Sequence, residues 1–589
     1  MKFSKLLLKL LIRLWRHISS RRQRQFTLLL ILMILVSFAE IISIGAVLPF
    51  LGILTAPRHV FEHPLLQPLM RTFEVNTPEQ LLLPITIIFG LAVLIAGGMR
   101  LLLVWANTRI SFATGADLGV NIYHRTLYQP FSVHVARNSG EVINGITGKA
   151  NSVINNVILP ILILISSSIM LTAILIVLLV VDPIIAMASF SGFGVIYAFI
   201  ILITRKKLLL DSQCIAREST NVIKSLQEGL GGIRDILIDG NQDAYCQIYR
   251  NADIPLRRSQ GNVVFIGSSP RYVMEALGMT LITVLAYALA QQPDGIAKAI
   301  PILGALALGA QRLLPVLQQA YGAWTNMLGG YASLQDTLEL LDQPLPDFAG
   351  NSIVKPIPFN KQINLKNVSH RYNLKAPWVL KDLNLTIDKG SCTGFIGTTG
   401  SGKSTLLDII MGLLSATNGA LEIDGKLITM DNQRTWHAHV AHVPQAIFLA
   451  DSTIEENIAF GIPKDQIDYE RVRLAARQAQ IADIIETWPK QYQTFVGERG
   501  IRLSGGQRQR IGIARAMYKQ ANVIIFDEAT SALDNETERA VMQAIEGLSG
   551  DVTILIIAHR LTTLKNCTQI VDLSNGKIKR TGSYKEIMR

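Results

Sequence analysis

The stretch GTTGSGKST, residues 397–405, carries the most explicit chemistry in the 589-residue chain. It fits the spacing G-x-x-x-x-G-K-[ST], in which glycines let the backbone wrap closely around phosphate oxygens and several N–H groups point inward as an anion nest. Gly397, Thr398, Thr399, Gly400, Ser401, Gly402 and Thr405 would form the cradle. Lys403 is placed to reach β- and γ-phosphates, and Ser404 a Mg2+ ion. A second stretch, VIIFDE (523–528), is an apolar strand ending in two acids. There Asp527 can hold Mg2+ through water, and Glu528 can polarise an attacking water. A third, LSGGQRQRIGIARAM (503–517), opens a helix with small residues, so its positive end can face a phosphate. One domain cannot easily fold two such anion sites onto the same γ-phosphate, whereas two domains arranged head-to-tail can.

These residues need particular elements to hold them. The loop follows the apolar strand TGFIG and precedes the helical stretch TLLDIIMGLL, the strand–loop–helix setting that the spacing requires. Upstream, INLKNVSHRY alternates as a strand, and VLKDLNLTIDKGSCTGFIG reads as strand, turn, strand. Residues 361–589 are therefore expected to be a C-terminal α/β P-loop domain, joined through a proline-containing linker at 342–360.

The preceding half is different. The chain is 49% hydrophobic and only 17% charged, below the ~25% charge usual in soluble domains. Its apolar residues cluster before about residue 330. Spans of roughly 20 residues can be drawn near 26–51, 81–106, 157–181, 183–204, 262–290 and 299–328, giving an α-helical membrane domain over 26–341. Asp182-Pro183 forms a tight turn between spans three and four. The proline-rich loop after the first span is expected outside; 107–156 and 205–261 are expected to carry helices on into the cytoplasm. The +12 net charge then follows the positive-inside rule and points away from nucleic acid. Residues 1–25 hold eight Lys/Arg and no acid, and read as an amphipathic helix on the inner membrane face. Cys214, Cys246, Cys392 and Cys567 lack the spacing of a zinc site or disulfide framework.

The second half resembles the ATP-binding cassette family, whose motifs occur here in the family's order: Tyr372 of HRY, the phosphate loop, Gln445 of HVPQ, Glu498 of VGERG, LSGGQ, the VIIFDE strand, SALD (531–534) and His559 of IAHR. The resemblance implies ATP and Mg2+ as ligands. It implies that Tyr372 stacks on adenine, that Gln445 senses the γ-phosphate and Mg2+, and that His559 orients the water. Ser504, Gly505, Gly506 and Gln507 would meet the nucleotide of a partner copy, and Asp534 would lie at the dimer interface. Six spans followed by one cassette is similar to an exporter-type half-transporter, for which a domain-swapped homodimer in a bacterial cytoplasmic membrane is expected. EGLGGIRDILIDG (228–240) resembles the stretch leading from that family's second coupling helix.

The cargo is addressed by charges in the spans. Within GALALGAQRLLPVL (304–317), Arg312 stands near the middle of a hydrophobic segment, where a cation costs roughly 2.5 kcal/mol or more, and Pro315 can kink the helix. Glu40, Arg100, Arg271 and Glu275 complete the set. Arg271 and Glu275 are four apart and can pair. Arg100 can snorkel, and Glu40 can pair with an arginine, so structural and cargo-binding roles stay open. The arginine excess suits an anionic headgroup, which guanidinium grips bidentately. SFAEIISIGAVLPF (37–50), SPRYVMEALG (269–278) and AQRLLPVLQQ (310–319) resemble stretches of bacterial lipid-linked oligosaccharide flippases and polysaccharide-export relatives. The expected function is ATP-driven export or flipping of a lipid-linked oligosaccharide, glycolipid or other anionic lipid. A peptide or multidrug exporter is the alternative, and an ATP-gated channel or regulatory receptor a third reading.

Overall fold

The computed structural model describes residues 2–55, 78–181, 183–290, 313–350, 355–373, 375–528, 535–546, 552–558 and 561–587. Arg312, the SALD stretch with Asp534, His559, the turn residue Asp182, most of the external loop and the first part of the sixth span lie outside them. The chain divides into two units, one of residues 1–129 and 137–344, the other of 130–136 and 345–589.

In the first unit, α1 (Lys2–His17) is strongly amphipathic. It buries Leu10 and Leu14 against Leu118, Ile122, Val153, Leu334 and Leu338. The helix stops well before residue 25. α2 (Ser20–Thr55) begins only three residues after His17, so Arg21, Arg22 and Arg24 belong to the first spanning helix, a correction to the expected boundary. The break has a local cause. Gln23 turns its amide back and donates to the carbonyls of Trp15 and Ile18 at 3.2 and 3.1 Å, satisfying acceptors that a helix end leaves open. Not all the N-terminal cations face headgroups either. Arg13 and His17 pair with Asp342, and Arg22 with Asp117 at 2.8 Å.

α3 (Leu82–Leu127) has 46 residues, about 69 Å of helix at 1.5 Å per residue, more than twice the ~30 Å of a hydrocarbon core. It therefore runs on beyond a membrane, as expected. After the short α4 (Phe131–Ala136), which belongs to the second unit, the third spanning segment is built from α5 (Ser139–Asn144), α6 (Ala150–Val153) and α7 (Leu159–Val181), separated by π-helical turns at Gly145–Lys149 and Ile154–Ile158. α8 (Pro183–Gly231) starts on a proline, which suits a first helical position because its missing N–H would be unpaired there anyway. The short α9 (Ile233–Asp239) ends on Gly240 at φ +68°. Then come α10 (Gln242–Ala290), helical residues 313–329 and α11 (Tyr331–Leu341). Among the described residues, three helices are long and apolar enough to cross a membrane.

The second unit holds two sheets. β1 (Gln362–His370), β2 (Leu380–Asp388), β4 (Asn418–Ile423) and β5 (Lys426–Leu427) make an antiparallel sheet in the order β2-β1-β4-β5. β3 (Cys392–Gly397), β6 (Val440–Val443), β7 (Val523–Asp527), β8 (Thr553–Ile557), β9 (Gln569–Ser574) and β10 (Lys577–Gly582) make the other, ordered β10-β9-β3-β8-β7-β6. All its pairings are parallel except β9–β10. Strand alternation divides β7 between two cores: Ile524 and Phe526 face one, Val523 and Ile525 the other. β8 divides likewise, with Ile554 and Ile556 against Leu555 and Ile557. A strand buried on both faces reads as an unbroken apolar run, as VIIF and ILII do.

Candidate active site

The phosphate loop sits between β3 and α12 (Lys403–Ile410), at the carboxyl end of a central parallel strand where α/β folds place their ligands. Its glycines are needed. Gly397, Gly400 and Gly402 have φ of +147°, +82° and +101°. A Cβ on Gly397 would lie 2.2 Å from the carbonyl oxygen of Leu573, and one on Gly402 2.6 Å from Leu380. Thr398 and Thr399 complete the turn. Lys403 folds over it, its Nζ donating to the carbonyls of Gly397 and Thr398 at 2.8 and 3.1 Å. The buried Ser401 hydroxyl has no protein partner, while Ser404, on the first turn of α12, is exposed. Tyr372 shares a hydrogen bond with Thr405 at 3.0 Å and leaves its ring more than half exposed, a platform at the rim of the loop.

Two strands along from β3, β7 delivers Asp527 and then Glu528. Glu528 takes φ +52°, a left-handed conformation that costs a non-glycine residue of order 1 kcal/mol. Its backbone N–H is tied to the carbonyl of Ile557. Gln445, after β6 on the neighbouring strand, donates its amide to Glu528 Oε2 at 2.8 Å. Burial and then the adjacent Glu528 push the Asp527 carboxyl up, partly opposed by Lys403. Crowded carboxylates beside an orphaned hydroxyl and a lysine held only by carbonyls fit a phosphate–Mg2+ group, which would supply the missing charge of each sign.

A residue absent from the sequence reading joins them. Asp408 is pushed up to about 6, by burial and then by Asp527. It lies four residues after Ser404 in a helix, so it shares that residue's face, a spacing signal that was available in the sequence.

The LSGGQ residues are elsewhere in the unit. α17 (Gly505–Lys519; α13–α16 are Gln433–His437, Ile454–Ile458, Tyr469–Gln478 and Ala482–Glu486) packs against α14, α15 and β6. β6 is three strand spacings from β3, about 14 Å. Ser504 and Gln507 form a reciprocal capping box: Ser504 Oγ accepts from the Gln507 N–H, and the Gln507 side chain accepts from the Ser504 N–H. The leading turn, Gly505-Gly506, carries no bulk. Arg515, farther along α17, donates to the carbonyls of Asn457 and Phe448 and lies 4.4 Å from the Phe460 ring centroid. Burial lowers its guanidinium to about 10. It thereby ties the segment following Gln445 to the LSGGQ helix.

In the membrane unit, the expected pairings are present. Arg100 meets Glu40 at 3.5 Å and Arg271 meets Glu275 at 2.7 Å. Arg100 and Arg271 thus each have a carboxylate, so by count the one arginine in excess of the acids is Arg312, which lies outside the described residues. Yet Arg271 also lines a cavity of about 460 Å3 with Ser268, Gln318, Gln319 and Asn326. A neighbouring cavity of about 410 Å3 shares Val263, Val264 and Asn326 and adds Asn144, Asn151, Asn155 and Asn156. The amides of 144–156 come from the segment with the two π turns, whose extra residues rotate the following side chains around the helix.

Comparison with known proteins agrees with this architecture. Residues 380–531 match the family model described as ABC transporter, and residues 26–292 that described as ABC transporter transmembrane region. An ATP-dependent lipid A-core flippase of Alkalilimnicola ehrlichii is 30% identical over 402 residues, 67% of each chain. One of Cupriavidus metallidurans is 26% identical over 515 residues, 86% of this chain and 84% of the relative. One of Saccharophagus degradans is 39% identical over 260 residues, where the match spans 44% of this chain and only 43% of that relative's length. The solved structure of a bacterial Atm1-family ABC exporter with ATP bound has the same fold, with TM-score 0.77 at 22% identity over 97% of both chains. With the phosphate loop, the acidic strand end and the LSGGQ helix in one unit and long apolar helices in the other, the chain belongs to the ABC transporter family, as a multi-pass membrane protein of the exporter type that couples ATP hydrolysis to transport.

Proposed function

We propose that two copies of this chain form a homodimeric flippase in a bacterial cytoplasmic membrane, moving a lipid-linked oligosaccharide, glycolipid or other anionic lipid. In this reading residues 26–341 form the pathway, 342–360 the linker and 361–589 the ATPase. The relatives named lipid A-core flippases support a lipid cargo. The observation that carries the headgroup assignment is a mixed cavity on expected membrane spans: Arg271, Ser268, Gln318, Gln319 and Asn326 occur together among Val263, Val264 and Pro315, where a wholly apolar lining is the ordinary one. Amides and a guanidinium are donors for sugar hydroxyls and phosphate.

The hydrolytic roles follow from the site. Lys403 and the loop N–H groups bind the phosphates. Ser404 and Asp527, with Gln445, would hold Mg2+, which supplies charge neutralisation at the β- and γ-oxygens when bound. Glu528 takes the proton of the attacking water, and its hydrogen bond from Gln445 fixes the carboxylate's direction. Ser504, Gly505, Gly506 and Gln507 act on the partner copy's nucleotide through the helix N-terminus, with Ser504 and Gln507 holding that terminus open by capping each other. His559 and Asp534 keep the family roles. Two facing cassettes closing on ATP would then reorient the membrane helices.

The test uses the full-length dimer in nanodiscs. ATPase should rise with lipid A-core glycolipid or a lipid-linked oligosaccharide and stay flat with hydrophobic peptides. Stimulation by peptides alone would overturn the cargo assignment. Glu528→Gln should bind ATP with little loss and hydrolyse it at least 100-fold more slowly, about 2.7 kcal/mol of barrier. Near-normal turnover would remove Glu528 from the mechanism.

A further inference from the structure

A cavity of about 480 Å3 lies among α1, α2 and α7, lined by Leu8, Ile12, Trp15, Phe26, Leu30 and Ile161 with other apolar side chains. It is open along one side, and Trp15, 45% exposed, stands with its ring 5.7 Å from that of Phe26. At 100° per residue, the positions next to Ile12 around α1, away from the buried Leu10 and Leu14, are Lys5, Arg16 and Lys9. All three are exposed, and none takes part in an ion pair or hydrogen bond among the described residues. The other charged positions of α1 described here behave oppositely: Arg13 and His17 are committed to Asp342. The helix therefore has a docked edge, whose cations are neutralised by protein, and a groove edge, whose cations are not.

From this arrangement we infer a binding site for a resident anionic phospholipid of the cytoplasmic leaflet, separate from the cargo pathway. One acyl chain occupies the groove, and the phosphate lies against Lys5, Lys9 and Arg16. An apolar slot alone would take any chain. The row of unpaired cations along its rim is what selects an anionic headgroup, since basic side chains near a membrane surface favour anionic lipid. Trp15 suits the boundary between the two, with an apolar ring and an N–H at headgroup depth. The site joins α1 to α2 and α7, so its occupancy would hold the N-terminal helix against the first and third spans. It does not depend on the identity of the cargo.

Trp15 is itself the reporter. The full-length protein is placed in phosphatidylcholine nanodiscs containing increasing fractions of phosphatidylglycerol with brominated acyl chains. The Trp15 component of fluorescence is obtained by difference from a Trp15→Phe variant. It should quench at a low fraction of brominated phosphatidylglycerol. A Lys5→Gln/Lys9→Gln/Arg16→Gln variant should need at least about tenfold more. Arg24→Gln, which removes a cation across α2 from Phe26 and Met33, should leave the curve in place and serves as the folded control. Equal quenching by brominated phosphatidylcholine, or an unmoved curve in the triple variant, would show an ordinary annular lipid and overturn the inference. No Trp15 quenching by either lipid would mean that protein covers the groove, and would overturn it as well.

Discussion

Asp408→Asn should stabilise the protein at neutral pH, by an amount that vanishes in acid. The Asp408 carboxyl is held at about 6, against 3.8 for the free side chain, by burial and then by the negative charge of Asp527. A folded-state value above the unfolded one means that the folded state binds the extra proton between about pH 4 and 6. Stability is therefore lost as pH rises through that window, and the full cost is present above it. Two units correspond to about 3 kcal/mol; since the group is only half-buried, solvent screening reduces this to about 1–2 kcal/mol. Asparagine keeps the shape, and its backbone still accepts the N–H groups of Leu413 and Leu414, but it has no charge to repel Asp527. For a cassette of this size the gain corresponds to about 2–8 °C in melting temperature. The assay is thermal unfolding of nucleotide-free protein from pH 4 to 8. The two proteins should melt together near pH 4 and separate towards pH 7. Mg2+ with a non-hydrolysable ATP analogue should narrow the difference, because a cation at Asp527 offsets the repulsion. A difference independent of pH, or a less stable variant at pH 7, would refute the electrostatic account.

Ser504→Ala removes one half of the capping box that starts α17 and should cost about 1 kcal/mol of cassette stability, together with a fall in ATPase larger than that loss explains; unchanged turnover would exclude a nucleotide role for this terminus. Tyr372→Phe, which loses only the hydrogen bond to Thr405, should leave the KM for ATP within about twofold, whereas Tyr372→Ala should raise it by roughly tenfold if the ring stacks on adenine; equal KM values in both variants would rule out stacking. Arg271→Ala should lower glycolipid-stimulated ATPase while Glu275→Gln preserves it, because only the first removes a cation from the polar cavity; equal losses in the two would identify the ion pair itself, and not the guanidinium's access to cargo, as the feature that matters.

The cassette was legible from sequence because its determinants are local. Gly397 and Gly402 are glycine since a Cβ would strike Leu573 or Leu380, and β7 and β8 are apolar at every position since each has a core on both faces. Such constraints leave a mark at one position or at short spacing. The first spanning helices were legible for the same reason, through unbroken apolar runs. The end of α1 was less so. The basic residues continue to Arg24 across the break, and the device that sets the boundary, Gln23 reaching back to Trp15 and Ile18, has no distinctive pattern. Asp408 was missed because its shift depends on burial and then on Asp527, more than a hundred residues on, even though its spacing from Ser404 marked the face.

In the spans, counting charges gives the excess but not which arginine carries it. Three arginines against two acids leave one spare cation on each chain, and Arg100 and Arg271 each have a carboxylate within ion-pair distance. Pairing does not by itself retire a guanidinium from binding. Arg271 and Glu275 are each about half exposed, so packing does not lock the pair in place, and Arg271 lies beside Gln318 and Gln319, which can accept from a guanidinium as well as donate to a sugar. Glu40, by contrast, is almost fully buried against a half-exposed Arg100. Removing Arg100 takes a cation from beside a buried carboxylate, a change of the kind that is costly inside a protein. The two ion pairs therefore divide by burial: under the proposed function the first can exchange its carboxylate for a cargo phosphate, whereas the second holds α2 to α3.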